Sequence, residues 1–139
     1  MQMRVTFAGA GKTVTLPVRY NEILQGIIYR YMDPRLGYWL HTKGRKDPES
    51  QRYLKLFTFS RLISSRKPIV DLDKGTIAFY SPVIWVVASP IRELIVSLYN
   101  NIIKNRTLHF KSVDVPWDEL IKVLNIWIEP VPKYRNPVL

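Results

Sequence analysis

The chain alternates apolar and polar positions in some stretches and repeats them every three to four residues in others, and this change of period marks out the elements. Residues 3–7 (MRVTF) and 13–18 (TVTLPV) read as short strands around a Gly-Ala-Gly turn. From residue 21 the period lengthens. Ile23, Leu24, Ile27, Ile28 and Tyr31 share one stripe of a helix capped by Asn21 and running to about Met32. Asp33-Pro34 opens a second, shorter helix, with the cap at Asp33, proline in the first turn and Gly44 as its terminator. Residues 45–53 (RKDPESQRY) are polar and read as an exposed loop. Strand patterns return at 54–60 (LKLFTFS), 69–72 (IVDL), 76–80 (TIAFY) and 83–88 (VIWVVA), with Lys74-Gly75 as a turn.

Ser89 is placed to cap the next helix and Pro90 to fill its first position. Ile91, Leu94, Ile95, Leu98, Tyr99, Ile102 and Ile103 form its apolar face. Residues 107–115 and 121–129 read as closing strands. Strand, helix, strands, helix, strand is the order of an α+β domain with two main helices on one face of an antiparallel sheet. The expected plan is ferredoxin-like (RRM-like) over residues 1–130. The proline-rich end, 131–139, reads as the start of a linker to a second domain.

Charge narrows the partner. Lys and Arg total 21 against 11 Asp and Glu, a formal net charge of +10. Such an excess suits a polyanion, provided that it clusters. It does: between Arg30 and Lys67 lie ten basic residues and three acids, interleaved with Tyr31, Tyr38, Trp39, Tyr53, Phe57 and Phe59. Cations with aromatics is the composition that holds single-stranded RNA. The RNA-binding candidates are Arg30, Arg35, Lys43, Arg45, Lys46 and Arg52. With no cysteine in the chain, disulfides and thiolate chemistry are excluded. Two histidines, His41 and His109, are too few for an ordinary histidine-based metal site, so the expected chemistry uses neither metal nor cofactor. No stretch of about 18 apolar residues occurs, so no membrane helix is expected.

The AGAGKT run at 8–13 invites a nucleotide-binding reading and fails it. A P-loop needs glycine where Thr6 stands and a helix where VTLPV follows. Tyr29 is more informative: it falls opposite the apolar stripe of its helix, so it either packs on another element or meets a ligand. His41, near the end of the second helix, either serves the helix dipole or acts as a general acid or base. Lys55 alternates with Leu54 and Leu56, either as a solvated strand position or as a cation aimed at a phosphate. His109 reads as structural.

The segments YNEILQGIIYRYM, LGYWLHTKG and YLKLFTFSRL together resemble the N-terminal half of CRISPR-associated repeat-processing endoribonucleases of the RAMP superfamily. The likeness extends from about Met1 to Pro130. It implies a ferredoxin-like domain followed by a second one, metal-independent cleavage of CRISPR repeat RNA, and a prokaryotic cytoplasmic setting. It assigns the family's catalytic tyrosine, histidine and lysine to Tyr29, His41 and Lys55. Lys43 and Lys46 are alternative cations, because the 45–53 loop is longer than in compact members. The family's glycine-rich loop has no counterpart, the last glycine being Gly75. Partners implied are repeat RNA, other subunits of a CRISPR effector complex, and a second copy of the chain. A non-catalytic module that retains CRISPR RNA, or a protein-assembly domain with incidental charge, are the competing readings.

Overall fold

The computed structural model describes residues 1–42 and 57–129, with the side chains of 39–42 outside that description. In order come β1 (Gln2–Ala8), β2 (Thr13–Pro17), α1 (Asn21–Tyr31), α2 (Pro34–Thr42), β3 (Thr58–Phe59), β4 (Ile69–Asp71), β5 (Thr76–Tyr80), β6 (Val83–Ala88), α3 (Arg92–Asn105), β7 (Thr107–Ser112) and β8 (Trp117–Glu129). Five strands form one antiparallel sheet in the order β3-β6-β1-β8-β7. Taking β1, α1, β3, β6, α3 and β8 gives the β-α-β-β-α-β ferredoxin-like arrangement, with β7 added beside β8.

Period-two alternation explains which face the helices cover. Met3, Val5 and Phe7 of β1 are fully buried, and their register partners Val87, Trp85 and Val83 on β6 are buried with them. Leu24, Ile27 and Ile28 of α1 and Leu94, Ile95 and Ile102 of α3 close this layer from the other side. Each such side chain contributes about 1.5–3 kcal/mol by leaving water. The opposite face stays open, with Leu120 68% exposed and the Arg4 guanidinium over the Trp127 ring, 5.8 Å from its centroid.

Several boundaries differ from the sequence reading. The strands at 1–18 do not pair with each other: β2 joins β5 and β4 in a separate three-stranded sheet. The turn between them is held by Ser81, whose backbone N–H donates to the Lys12 carbonyl and whose Oγ accepts from the Gly9 N–H. Asn21 does not cap α1; Tyr20 holds that position without a side-chain cap bond. The helix after Ser89 starts two residues later than expected, at Arg92, because Ser89 Oγ accepts the Ile91 N–H at 2.9 Å and makes a turn first. Strand β8 begins at Trp117 rather than 121, and β7 ends at Ser112. Of the strand expected at 54–60, only Thr58–Phe59 is a strand, residues 54–56 and the Gly44 terminator lying outside the described residues. Asp33 caps α2 as expected, its Oδ1 accepting the Arg35 N–H at 2.9 Å.

Candidate active site

Helix α1 aims Tyr29 by its apolar stripe. With Ile27 and Ile28 fully buried, a residue one to two steps on turns about 100–200° away from the core. Tyr29 is accordingly 43% exposed. Its ring meets the ring of Phe57 edge-on, with centroids 5.6 Å apart and planes at 77°. Phe57 is buried and leads directly into β3. An edge-on aromatic pair of this kind is worth about 0.5–1.5 kcal/mol beyond burial, enough to fix the phenol ring without engaging its hydroxyl. Among the described residues the Tyr29 hydroxyl has no hydrogen-bond partner.

The junction after α1 is pinned from α3. Asn101 Nδ2 donates to the Tyr31 carbonyl at 2.7 Å, and the Asp33 N–H donates to Ser97 Oγ at 3.3 Å. These bonds set where α2 departs and so where its last turn, carrying His41, comes to lie. The His41 side chain itself lies outside the described residues, as do Lys55, Lys43, Arg45, Lys46 and Arg52. The described chain resumes at Phe57, two residues after Lys55. Of the three candidate catalytic side chains, the described residues therefore contain Tyr29 alone.

Two RNA-binding candidates are described. Arg35 has a side chain 93% exposed, with Nη2 3.5 Å from Asp33 Oδ2. The Arg35 backbone N–H, helped by its guanidinium, holds the Asp33 carboxyl below its usual range against an opposing desolvation effect. Arg30 is tied down: Nη1 donates to the His109 carbonyl at 2.6 Å. His109, read as structural, sits on the outer side of β7, with Nε2 2.5 Å from Asp118 Oδ1 on β8. That contact is diagonal, since His109 pairs with Leu120 and Lys111 with Asp118. The His109 hydrogen bond is the main cause of an Asp118 carboxyl held below its usual range. Sequence reasoning missed this pair because strand register is not legible in a single chain. It also missed the grouping of Arg61, Arg66 and Lys67 on the loop after β3. Among the described residues no group of three potential metal-ligating side chains comes together.

Fold and geometry define an antiparallel α+β domain of ferredoxin-like plan, with an exposed helical tyrosine set beside an edge strand. No family model matches the sequence and no curated protein matches it. Solved structures do. The chain is similar to the product of a Cas6-related gene from Pyrococcus furiosus, with a TM-score of 0.69 and 23% identity over 98% of this chain and 50% of that one. It is also similar to a RAMP protein described as binding different RNA substrates (TM-score 0.64, 20% identity, 96% of this chain and 51% of that one). A CRISPR-associated Cas6 protein aligns with a TM-score of 0.58 and 21% identity, over 96% of this chain and 50% of that one. The chain thus spans about half the length of the structures it matches.

Proposed function

We propose that this domain is the catalytic half of a metal-independent endoribonuclease that cuts CRISPR repeat RNA into guide RNA. The observation that carries the reading is Tyr29, exposed on α1 with its ring fixed by Phe57 and its hydroxyl uncommitted among the described residues, on the fold of Cas6 and RAMP proteins. The net charge of +10 supplies the attraction for RNA.

In the proposed reaction the 2′-OH beside the scissile bond attacks the adjacent phosphorus. The 5′ oxygen leaves, giving a 2′,3′-cyclic phosphate and a 5′-OH end. One of His41 and Tyr29 takes the 2′-OH proton and the other protonates the leaving oxygen. A free phenol, with a pKa of about 10, is a poor base at neutral pH, so His41 carries the rate-limiting proton transfer. Lys55 stabilises charge on the pentavalent phosphate. Arg35, with Lys43, Arg45, Lys46 and Arg52, provides the cationic approach, while Arg30 braces β7. DNA, lacking the 2′-OH, is not cut even where it binds. Repeat RNA is the partner, within the cytoplasm of a prokaryote, and other effector subunits or a second copy would complete the assembly.

The test is incubation of the chain with CRISPR repeat RNA in EDTA. One defined cut with a cyclic phosphate end is expected, and His41→Ala removes it. The likeness to a RAMP protein described as binding different RNA substrates favours a second reading, a module that retains CRISPR RNA without cutting it; salt-sensitive binding with no cut at any protein concentration selects that reading.

A further inference from the structure

The edge strand that meets Tyr29 leads into a second cationic feature. The Ser60 N–H donates to the Val86 carbonyl at 2.8 Å, and Ile63 bridges Ile84. The edge strand advances three residues between those contacts while β6 advances two. The extra residue is a β-bulge at Arg61-Leu62, a device that re-aims side chains. It turns Leu62 inward to 5% exposure, where its N–H donates to the Tyr20 hydroxyl at 3.4 Å, and leaves Arg61 facing out. Further on, Ser64 Oγ donates to the Arg66 carbonyl at 2.9 Å and fixes the turn. The Arg66 guanidinium then lies 5.1 Å from the centroid of the Tyr80 ring.

The result is an open concavity of about 560 Å³, with Tyr20 and Phe79 in its floor and Arg61, Ser65, Arg66 and Lys67 around its rim. None of the three cations forms an ion pair with a described residue. Like charges gathered on one rim repel one another, and an anion bound among them relieves that repulsion. The concavity is also joined to the candidate site by a short stretch of chain. Phe57 meets the Tyr29 ring near the end of α1, and the Leu62 N–H meets the Tyr20 hydroxyl from just before its start. Nine residue steps lead from Tyr20 to Tyr29, a rise of roughly 14 Å along the helix axis at about 1.5 Å each. That span matches about four stacked nucleotides at roughly 3.4 Å each, and fewer if the strand is extended.

We propose that this concavity is a second subsite, binding the phosphodiester backbone of single-stranded RNA two to four nucleotides from the junction at Tyr29. The proposal rests on the RNA-handling reading above. Arg61, Lys67 and the Ser65 hydroxyl engage phosphate oxygens. The Arg66 plane, held on Tyr80, offers a stacking surface to a base. An acidic protein segment would satisfy the charge but has no use for a stacked guanidinium plane.

The test measures binding of repeat RNA to the whole chain across a salt series. It compares the native protein with Arg61→Gln/Arg66→Gln/Lys67→Gln, which keeps most of each aliphatic stem, and with Lys67→Glu alone. Two cationic phosphate contacts at about 0.7 each predict a log–log salt slope shallower by about 1.4 in the triple variant, and affinity near 0.1 M salt lower by about 25-fold, more with the stacked guanidinium lost as well. Lys67→Glu, a single exposed change that leaves the turn intact, weakens binding in the same direction. On the native protein, a photoreactive thiouridine two to four nucleotides from the cut should crosslink to residues 61–67. If the native chain and both variants bind with the same slope and affinity, the subsite is wrong while RNA recognition stands. If the native chain shows no salt-sensitive RNA binding at all, the subsite and the reading beneath it are both wrong.

Discussion

The two flanks of α1 carry neighbouring tyrosines with opposite commitments. On one flank Tyr31 donates to the Thr107 carbonyl at 3.3 Å and accepts the His109 N–H at 3.1 Å, while Arg30 holds the His109 carbonyl. Those backbone groups belong to β7, an end strand of the sheet, whose outward N–H and C=O would otherwise be open to another strand. The flank is therefore closed, and its polar groups serve the fold. On the other flank Tyr29, 43% exposed, sets its ring against Phe57, and among the described residues its hydroxyl has no hydrogen-bond partner. The lesson is that residue type does not separate a tyrosine that serves the fold from one free to meet a ligand; commitment of the hydroxyl does.

The largest test of this contrast lies just beyond α1. His41→Ala should slow repeat cleavage by about 10²–10⁴-fold, the usual worth of a positioned acid–base group, with RNA affinity kept within a few-fold. Cleavage at the native rate would remove the proton-transfer role. Tyr29→Phe should lower the single-turnover rate by roughly 10–100-fold, the lower part of that range, and leave the melting midpoint unmoved, since the ring contact survives. Tyr31→Phe should do the reverse. Losing one hydroxyl strands a carbonyl and an N–H on β7, costing about 1–3 kcal/mol, read as a drop of several degrees in melting midpoint at an unchanged cleavage rate. If the two tyrosine variants behave alike, the division between the flanks is not real.

The smallest effect concerns His109 and Asp118. The Asp118 carboxyl is held below its ordinary value of 3.8, chiefly by the His109 hydrogen bond. A depressed carboxyl stabilises the fold above its unfolded value, and that contribution disappears as pH falls through the lower folded value. Asp118→Asn should therefore reduce stability slightly at pH 5–6 and progressively less as pH falls below 3.8, measured by denaturant unfolding. An equal loss at both ends would mean that packing, not charge, is what the substitution removed. The side chain is exposed, so the effect is small.

Hydrophobic period located the helices at 21–32 and after Ser89, the second beginning two residues late, the strands at 76–80 and 83–88, and the face of each element that enters the core. Burial depends on which residues are apolar and how often they recur, and both are written along the chain. Residue type determined the Asp33 cap, a contact two residues long, and the period set Tyr29 outside the apolar stripe. Tertiary structure decided everything that requires two distant segments to meet. Whether residues 1–8 and 13–17 pair with each other or join separate sheets, which tyrosine of α1 is engaged, and that His109 reaches Asp118 all depend on register. So does the bulge at Arg61-Leu62 that gathers three cations scattered in a basic stretch. A strand's pattern names its inner face but not its neighbour, because each partner satisfies the same backbone hydrogen bonds, and only the assembled core selects among them.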